Sequence, residues 1–79
     1  MKARVTVTLK QGVLDPQGKA IEGALSSLGF GGVANVRQGK VFDIETSETD
    51  KAKAESALKA MAEKLLANTV IENYSIELV

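Results

Sequence analysis

Residues 2–10 alternate in polarity, with Ala3, Val5, Val7 and Leu9 set between Lys2, Arg4, Thr6, Thr8 and Lys10. A period of two rich in β-branched residues predicts a strand with one face on a core and one polar, basic face. The period then changes. Ala20, Ile21, Ala24, Leu25 and Leu28 recur at helical spacing and form one stripe. Asp15-Pro16 marks the start, an N-cap acceptor followed by proline at the first helical position. Gly29 stands where a left-handed C-terminal cap belongs, so a helix is predicted over about 16–28. Residues 33–46 are extended, and two readings fit them. One is a long strand bent at Gly39; the other is a hairpin with Gln38-Gly39-Lys40 as its loop. Ala34, Val36, Phe42 and Ile44 share a face in both. A second helix is predicted over about 49–67, with Ser47 or Thr49 as N-cap and Ala54, Ala57, Leu58, Met61, Ala62 and Leu65 as its buried stripe. Asn68 suits a left-handed cap. Val70, Tyr74, Ile76 and Leu78 then alternate in a final strand.

This order implies a single α+β domain over residues 1–79: strand, helix, extended segment, helix, strand, with two helices packed on a mainly antiparallel sheet. The hairpin reading makes it ferredoxin-like, β-α-β-β-α-β. That fold serves many functions and selects none of them. At 79 residues, and with no cysteine for a disulfide, the chain has a small core and no covalent staple. Homo-oligomerisation is therefore expected.

Composition removes several classes of chemistry. The chain has no Cys and no His, so thiolate nucleophiles, imidazole bases and the usual zinc, haem and iron–sulfur ligand sets are missing. Ten basic residues balance ten acidic ones, which argues against a nucleic-acid partner held by counterion release. The aromatic signature of an RNA-recognition sheet is also missing, with only Phe30, Phe42 and Tyr74 present. No apolar run is long enough to span a membrane and the first residues carry no secretory apolar region, so the cytoplasm is the expected compartment. The neutral total hides an asymmetry of +4 over residues 1–40 and −4 over residues 41–79. Complementary halves can orient an oligomer. The simpler reading places the first and last strands side by side, with Lys2 and Arg4 opposite Glu77.

Four segments are candidates for contact with a ligand or partner. Gly29-Phe30-Gly31-Gly32 is glycine-rich but follows a helix, so it reads as a turn rather than a phosphate loop. Lys10 to Gly18 joins a strand to a helix N-terminus, with Val13 and Leu14 apolar on the loop and Asp15 at the cap. Val13 and Leu14 are either a contact surface or a staple for the helix entry. Arg37 and Lys40 flank Gln38-Gly39 and suit either a solvated turn or an anionic partner. Asn68 to Glu72 links helix to strand, and Glu72 falls on the same strand face as Tyr74, where it reads as a paired carboxylate at the core edge.

Taken together, the segments resemble a known family. They are Lys10-Gln11-Gly12-Val13-Leu14-Asp15-Pro16-Gln17-Gly18-Lys19-Ala20-Ile21, then Ala24-Leu25-x-x-Leu28-Gly29-Phe30, then Val36-Arg37-Gln38-Gly39-Lys40, then Leu65-Leu66-Ala67-Asn68-x-Val70-Ile71-Glu72-Asn73-Tyr74. The chain is similar along its whole length to the PurS-type small subunits of phosphoribosylformylglycinamidine synthase. One departure is Thr69, where the family often has proline. The resemblance implies a non-catalytic, dimeric subunit that bridges a large synthetase subunit and a glutaminase subunit in purine biosynthesis. ATP, magnesium and glutamine are then used by the partners, and no cofactor is expected on this chain. It also favours the long strand, shared between sheets. Lys10, Val13, Leu14, Asp15, Arg37, Lys40, Asn68 and Glu72 are the expected partner-interface residues. The other reading is a ferredoxin-like regulatory domain that senses a small molecule.

Overall fold

A computed structural model describes all 79 residues. Strands β1 (Lys2–Leu9), β2 (Gly39–Glu45) and β3 (Glu72–Leu78) alternate with helices α1 (Pro16–Ser27) and α2 (Lys51–Met61). The sheet order is β2-β1-β3, antiparallel throughout. The α+β class, the element order and the antiparallel sheet are those the sequence implied.

The alternation of β1 sorts the two sheet faces. Ala3, Val5 and Val7 are fully buried. Val5 sits between Phe42 and Ile76, and Ala3 between Ile44 and Leu78. Leu58, Ala54, Ala62 and Ala67 complete the buried apolar set. On the other face the charges pair across strands. Arg4 Nε donates to Asp43 Oδ1 at 2.9 Å, Lys2 lies 3.6 Å from Glu45, and Arg4 stands opposite Glu77 in the ladder. The imbalance between the halves of the chain is thus partly neutralised within the sheet. Exposed pairs of this kind add little stability but penalise a slipped register.

Helix α1 begins and ends as its sequence dictates. Asp15 accepts from the Gly18 N–H at 2.8 Å, Pro16 occupies the first position and Gly29 takes φ +99°. Burial is unevenly shared between the helices, however. Gly18 is the only buried residue of α1, and none of its side chains joins the core cluster. A strand of eight residues spans about 26 Å and a twelve-residue helix about 18 Å. The long axis of 49 Å therefore needs β1 and α1 nearly end to end. The radius of gyration is 15.9 Å, against about 12 Å for a compact chain of this length. Helix α1 and the segment returning from it, residues 28–38, form an arm that projects from the sheet.

The extended region is shorter as a strand than its pattern suggested. Residues 33–38 have no ladder partner, and β2 starts at Gly39. Asn35, at φ +58°, interrupts the extended run. The hairpin reading fails too, because Gly39 and Lys40 already lie in β2 opposite Thr8 and Val7. With three strands rather than four, the ferredoxin-like alternative is excluded.

The second helix departs in three places. Its N-cap is Asp50, which accepts from Ala52 and Lys53 at 2.9 and 3.3 Å, rather than Ser47 or Thr49. A carboxylate is the stronger acceptor at that end. The α-helix stops at Met61, and residues 62–66 form a π turn closed by the Ala67 N–H on the Ala62 carbonyl at 2.8 Å. The extra residue in that turn swings Leu65 out to 83% exposure and turns Leu66 and Ala67 inward. Ala57 and Met61 are also exposed, so the buried stripe narrows to Ala54, Leu58 and Ala62. Finally, Asn68 is not a left-handed cap: Ala67 ends the segment in extended conformation, and Val70 lies in the following turn rather than in β3.

Candidate functional site

The chain crosses between sheet and arm twice, at residues 10–15 and again at 37–39, and most of the expected interface residues gather at this neck. Asp15 is its centre. It is 4% exposed, and its two oxygens divide their work: Oδ1 accepts from Gly18 of its own helix, and Oδ2 accepts from the Gln38 N–H at 2.7 Å. The hydrogen bond from Gln38 and then that from Gly18 hold the carboxyl below its ordinary pKa, against the opposing effect of burial. Two turns on, Glu22 accepts from the Val36 N–H at 3.3 Å and lies 3.7 Å from Lys19. Its pKa is also lowered, chiefly by the Val36 bond. Between the two carboxylates Gly18 lies flush on the returning chain; a Cβ there would stand 2.2 Å from the Val36 carbonyl oxygen. The segment that lacks a strand partner is therefore held by helix side chains.

The other crossing is tied as closely. Arg37 Nη2 donates to the Lys10 carbonyl at 3.1 Å, and the Lys10 N–H donates to Ile71 at 2.9 Å. Glu72, nearly buried, accepts from the Asn68 N–H at 2.7 Å through Oε1 and lies 3.7 Å from Lys40 through Oε2. It is the paired carboxylate at the core edge that the strand pattern implied. Asn68 Oδ1 accepts from the Val70 N–H at 3.2 Å, and its carbonyl accepts from Ile71 and Glu72. Asp15, Gln38, Lys40 and Glu72 line a cleft of about 270 Å³ over Val7 and Leu9. A larger cavity, about 400 Å³, lies beside Lys2, Arg4, Asp43 and Glu45, whose charges pair with one another.

Lys10, Asp15, Arg37, Lys40, Asn68 and Glu72 are thus connected through one neck. Val13 is half-buried and Leu14 is exposed, so the loop shields one of its two apolar side chains and presents the other to solvent. The sequence reading missed Glu22 and the close contact at Gly18. Their signal was available: Asp15, Gly18 and Glu22 stand at i, i+3 and i+7, two carboxylates on one helix face with a glycine between them. No group of three or more Asp and Glu residues is placed to hold a metal ion. The carboxylates of the neck are committed to backbone donors and to lysines, which makes the site a joint that fixes the arm.

The arm itself is apolar and uncovered. Leu14, Ile21, Leu28, Phe30 and Val33 are exposed, Leu28 at 74% and Phe30 at 57%. No charged residue occurs from Gly23 to Val36. A surface that is apolar, depleted of charge and carried on a projecting element has the composition of an interface core.

Comparison with known proteins names the family. The family model described as PurS, phosphoribosylformylglycinamidine (FGAM) synthase, matches residues 2–79. The chain belongs to the PurS family. It is 51% identical over 75 residues to the PurS subunit of phosphoribosylformylglycinamidine synthase from Mycobacterium leprae, spanning 95% of this chain and 91% of that one. The solved Bacillus subtilis PurS structure superposes with a TM-score of 0.87 at 46% identity, covering 96% of this chain and 94% of that one. PurS-like geometry also occurs in the PurLQS structure from Thermotoga maritima, with a TM-score of 0.90 at 32% identity over 99% of this chain and 95% of that one.

Proposed function

We propose that the chain is the small, non-catalytic subunit of phosphoribosylformylglycinamidine synthase in purine biosynthesis. In this reading it works in the cytoplasm and bridges the synthetase and glutaminase subunits so that ammonia released from glutamine reaches the amide it converts. ATP, magnesium and glutamine are used on those partners. Membership of the PurS family along the whole chain supports the reading, as does the PurLQS structure, a complex with a chain of this shape.

The observation that carries it is the uncovered arm. Burying each large apolar side chain is worth about 1.5–3 kcal/mol, and five of them stand exposed on α1 and the adjoining loops. A chain with a small core gains that stabilisation only from another surface. A second copy is the first such surface, giving a homodimer or higher homo-oligomer with the neck residues at the junction between copies and larger subunits. Reconstitution tests the function. Purified synthetase and glutaminase subunits are assayed for amidation with and without this chain, with either glutamine or ammonium as nitrogen source. The glutamine-dependent rate is expected to require the chain and the ammonium-dependent rate to need it far less. Equal glutamine-dependent rates with and without the chain would refute the role.

A further inference from the structure

The end of α2 breaks the helical period, and the residues there give a reason. The helix buries Ala54 and Leu58, and Ala62 follows on the same face. Leu65 stands seven residues after Leu58, so a continued α-helix would place it on that buried face. The π turn over residues 62–66, closed by the Ala67 N–H on the Ala62 carbonyl at 2.8 Å, inserts one residue and moves each later side chain along by one place. Leu66 then packs on the cluster of Val5, Val7, Ala62 and Ala67, and Leu65 is left 83% exposed.

The π and α registers differ in what they offer to two adjacent core positions. In the π register these receive Leu66 and Ala67; in the α register they receive Leu65 and Leu66. The first position holds a leucine either way. The second holds an alanine that is 6% exposed, and a leucine there overpacks it. That overpacking selects the π register in the wild-type chain. The segment is pinned on both sides, by the Tyr74 hydroxyl on Glu63 at 2.9 Å and by the Lys10 N–H on the Ile71 carbonyl at 2.9 Å. A change of register is therefore confined to residues 64–70, and it feeds one residue into the turn before β3. Thr69 and Val70 are exposed in that turn, and lengthening a surface loop by one residue costs little. We propose that the end of α2 is a two-register element, in which the side chains at 66 and 67 decide between π and α and so decide whether Leu66 or Leu65 lies in the core. The exchange carries a leucine between core and solvent without unfolding the helix that precedes it. It is a property of the chain alone and holds whether or not the subunit reading does.

The test reverses the preference. In Leu66→Ala the α register offers the core a leucine followed by an alanine, which is the wild-type pair one residue earlier. Leucine-methyl NMR on the full chain reads the result directly. In Leu66→Ala the Leu65 methyls are expected to gain cross-peaks to Val5 and Val7, as the Leu66 methyls show in the wild type. Calorimetry supplies a second readout. Leu65→Ala should stay within about 4 °C of the wild-type Tm, and Leu66→Ala should lose less than about 5 °C because Leu65 replaces the missing side chain. The double variant has no leucine for the position in either register. It should lose at least about 8 °C more than the two single variants together, or fail to fold. Leu65 methyls without core cross-peaks in a folded Leu66→Ala chain refute the switch. Additive losses refute it too, and so does a Leu66→Ala chain that does not fold.

Discussion

Gly18→Ala and Gly23→Ala make the same chemical change twice in one helix, and the structure assigns them different outcomes. In a free helix interior each replacement gains about 0.8–1 kcal/mol, because alanine loses less backbone entropy than glycine. Gly23 has no neighbour within 4 Å of a built Cβ. It lies about 200° around the helix from Ile21, on the face away from the apolar stripe, so an interface on that stripe leaves it open. Gly23→Ala should therefore stabilise the chain by close to the full propensity gain. At Gly18 the same methyl group meets the Val36 carbonyl at 2.2 Å. Ordinary contact begins near 3.4 Å, so the returning chain has to retreat by roughly 1 Å.

That retreat is resisted on both sides, since the Val36 and Gln38 N–H groups are held by Glu22 and Asp15. Forcing extra volume into a packed contact costs about 1–3 kcal/mol. Gly18 lies in the first turn and gains at most what Gly23 gains in the interior, so the contact accounts for most of the difference between the variants. At about 4–8 °C per kcal/mol for a domain of this size, Gly18→Ala should melt roughly 5–20 °C below Gly23→Ala. The assay is calorimetry at one fixed chain concentration, which holds any contribution of self-association constant. A Gly18→Ala protein that melts at or above Gly23→Ala would show that the return segment does not lie on α1 as described.

Three further outcomes follow from the same geometry. The folded-state pKa of Asp15 is lowered, so its stabilisation is fully present above the unfolded carboxylate value and is lost as pH falls from that value down through the lower folded one; wild-type Tm should drop progressively below about pH 5. Asp15→Asn should be less stable than the wild type at neutral pH and flatter across that acid range, as a calorimetric pH series would show. Leu58→Ala removes a fully buried side chain and should cost about 2–5 kcal/mol, whereas Leu65→Ala should stay within about 0.5 kcal/mol; equal losses in urea unfolding would mean the π turn does not form. Ile21→Asp with Leu28→Asp should lower the light-scattering mass to that of one protomer while the circular dichroism of the sheet and α2 persists.

The sheet was legible because its signals are local. The alternation of β1 marks its buried face directly, and the Arg4–Glu77 register followed from placing the first and last strands together. Asp15, Pro16 and Gly29 set the limits of α1 for the same reason: caps depend on a few adjacent residues. The stripe of α1 was equally legible, but periodicity says only that a face is apolar and not which surface covers it. Residues 33–38 looked like strand because their side chains alternate, yet a strand also needs a neighbour, and β1 ends before it can supply one. Leu65 was misplaced because a π turn changes the helical period over a single residue, and no residue type announces it. The expected partner-interface residues lay in three separate segments of sequence. Only the hydrogen bonds of the neck join Lys10, Asp15, Arg37 and Glu72 into one place.

The neck explains how an arm without a core of its own keeps a defined shape. Its helix has a cap at each end, its return segment is fixed by two helix carboxylates, and Gly18 lets the two backbones touch. These are polar and steric restraints, so they hold while the apolar side remains uncovered. An arm secured only by its interface would order on association and lose affinity to that ordering. Here Asp15 and Glu22 order the backbone of the arm beforehand, and Leu28, Phe30 and Val33 remain available to whatever surface receives them. Asp15 and Glu22 are spent on backbone donors, and what they hold in position is the apolar side of the arm. That arrangement fits the proposed role, in which the chain contributes to the reaction by placing larger partners.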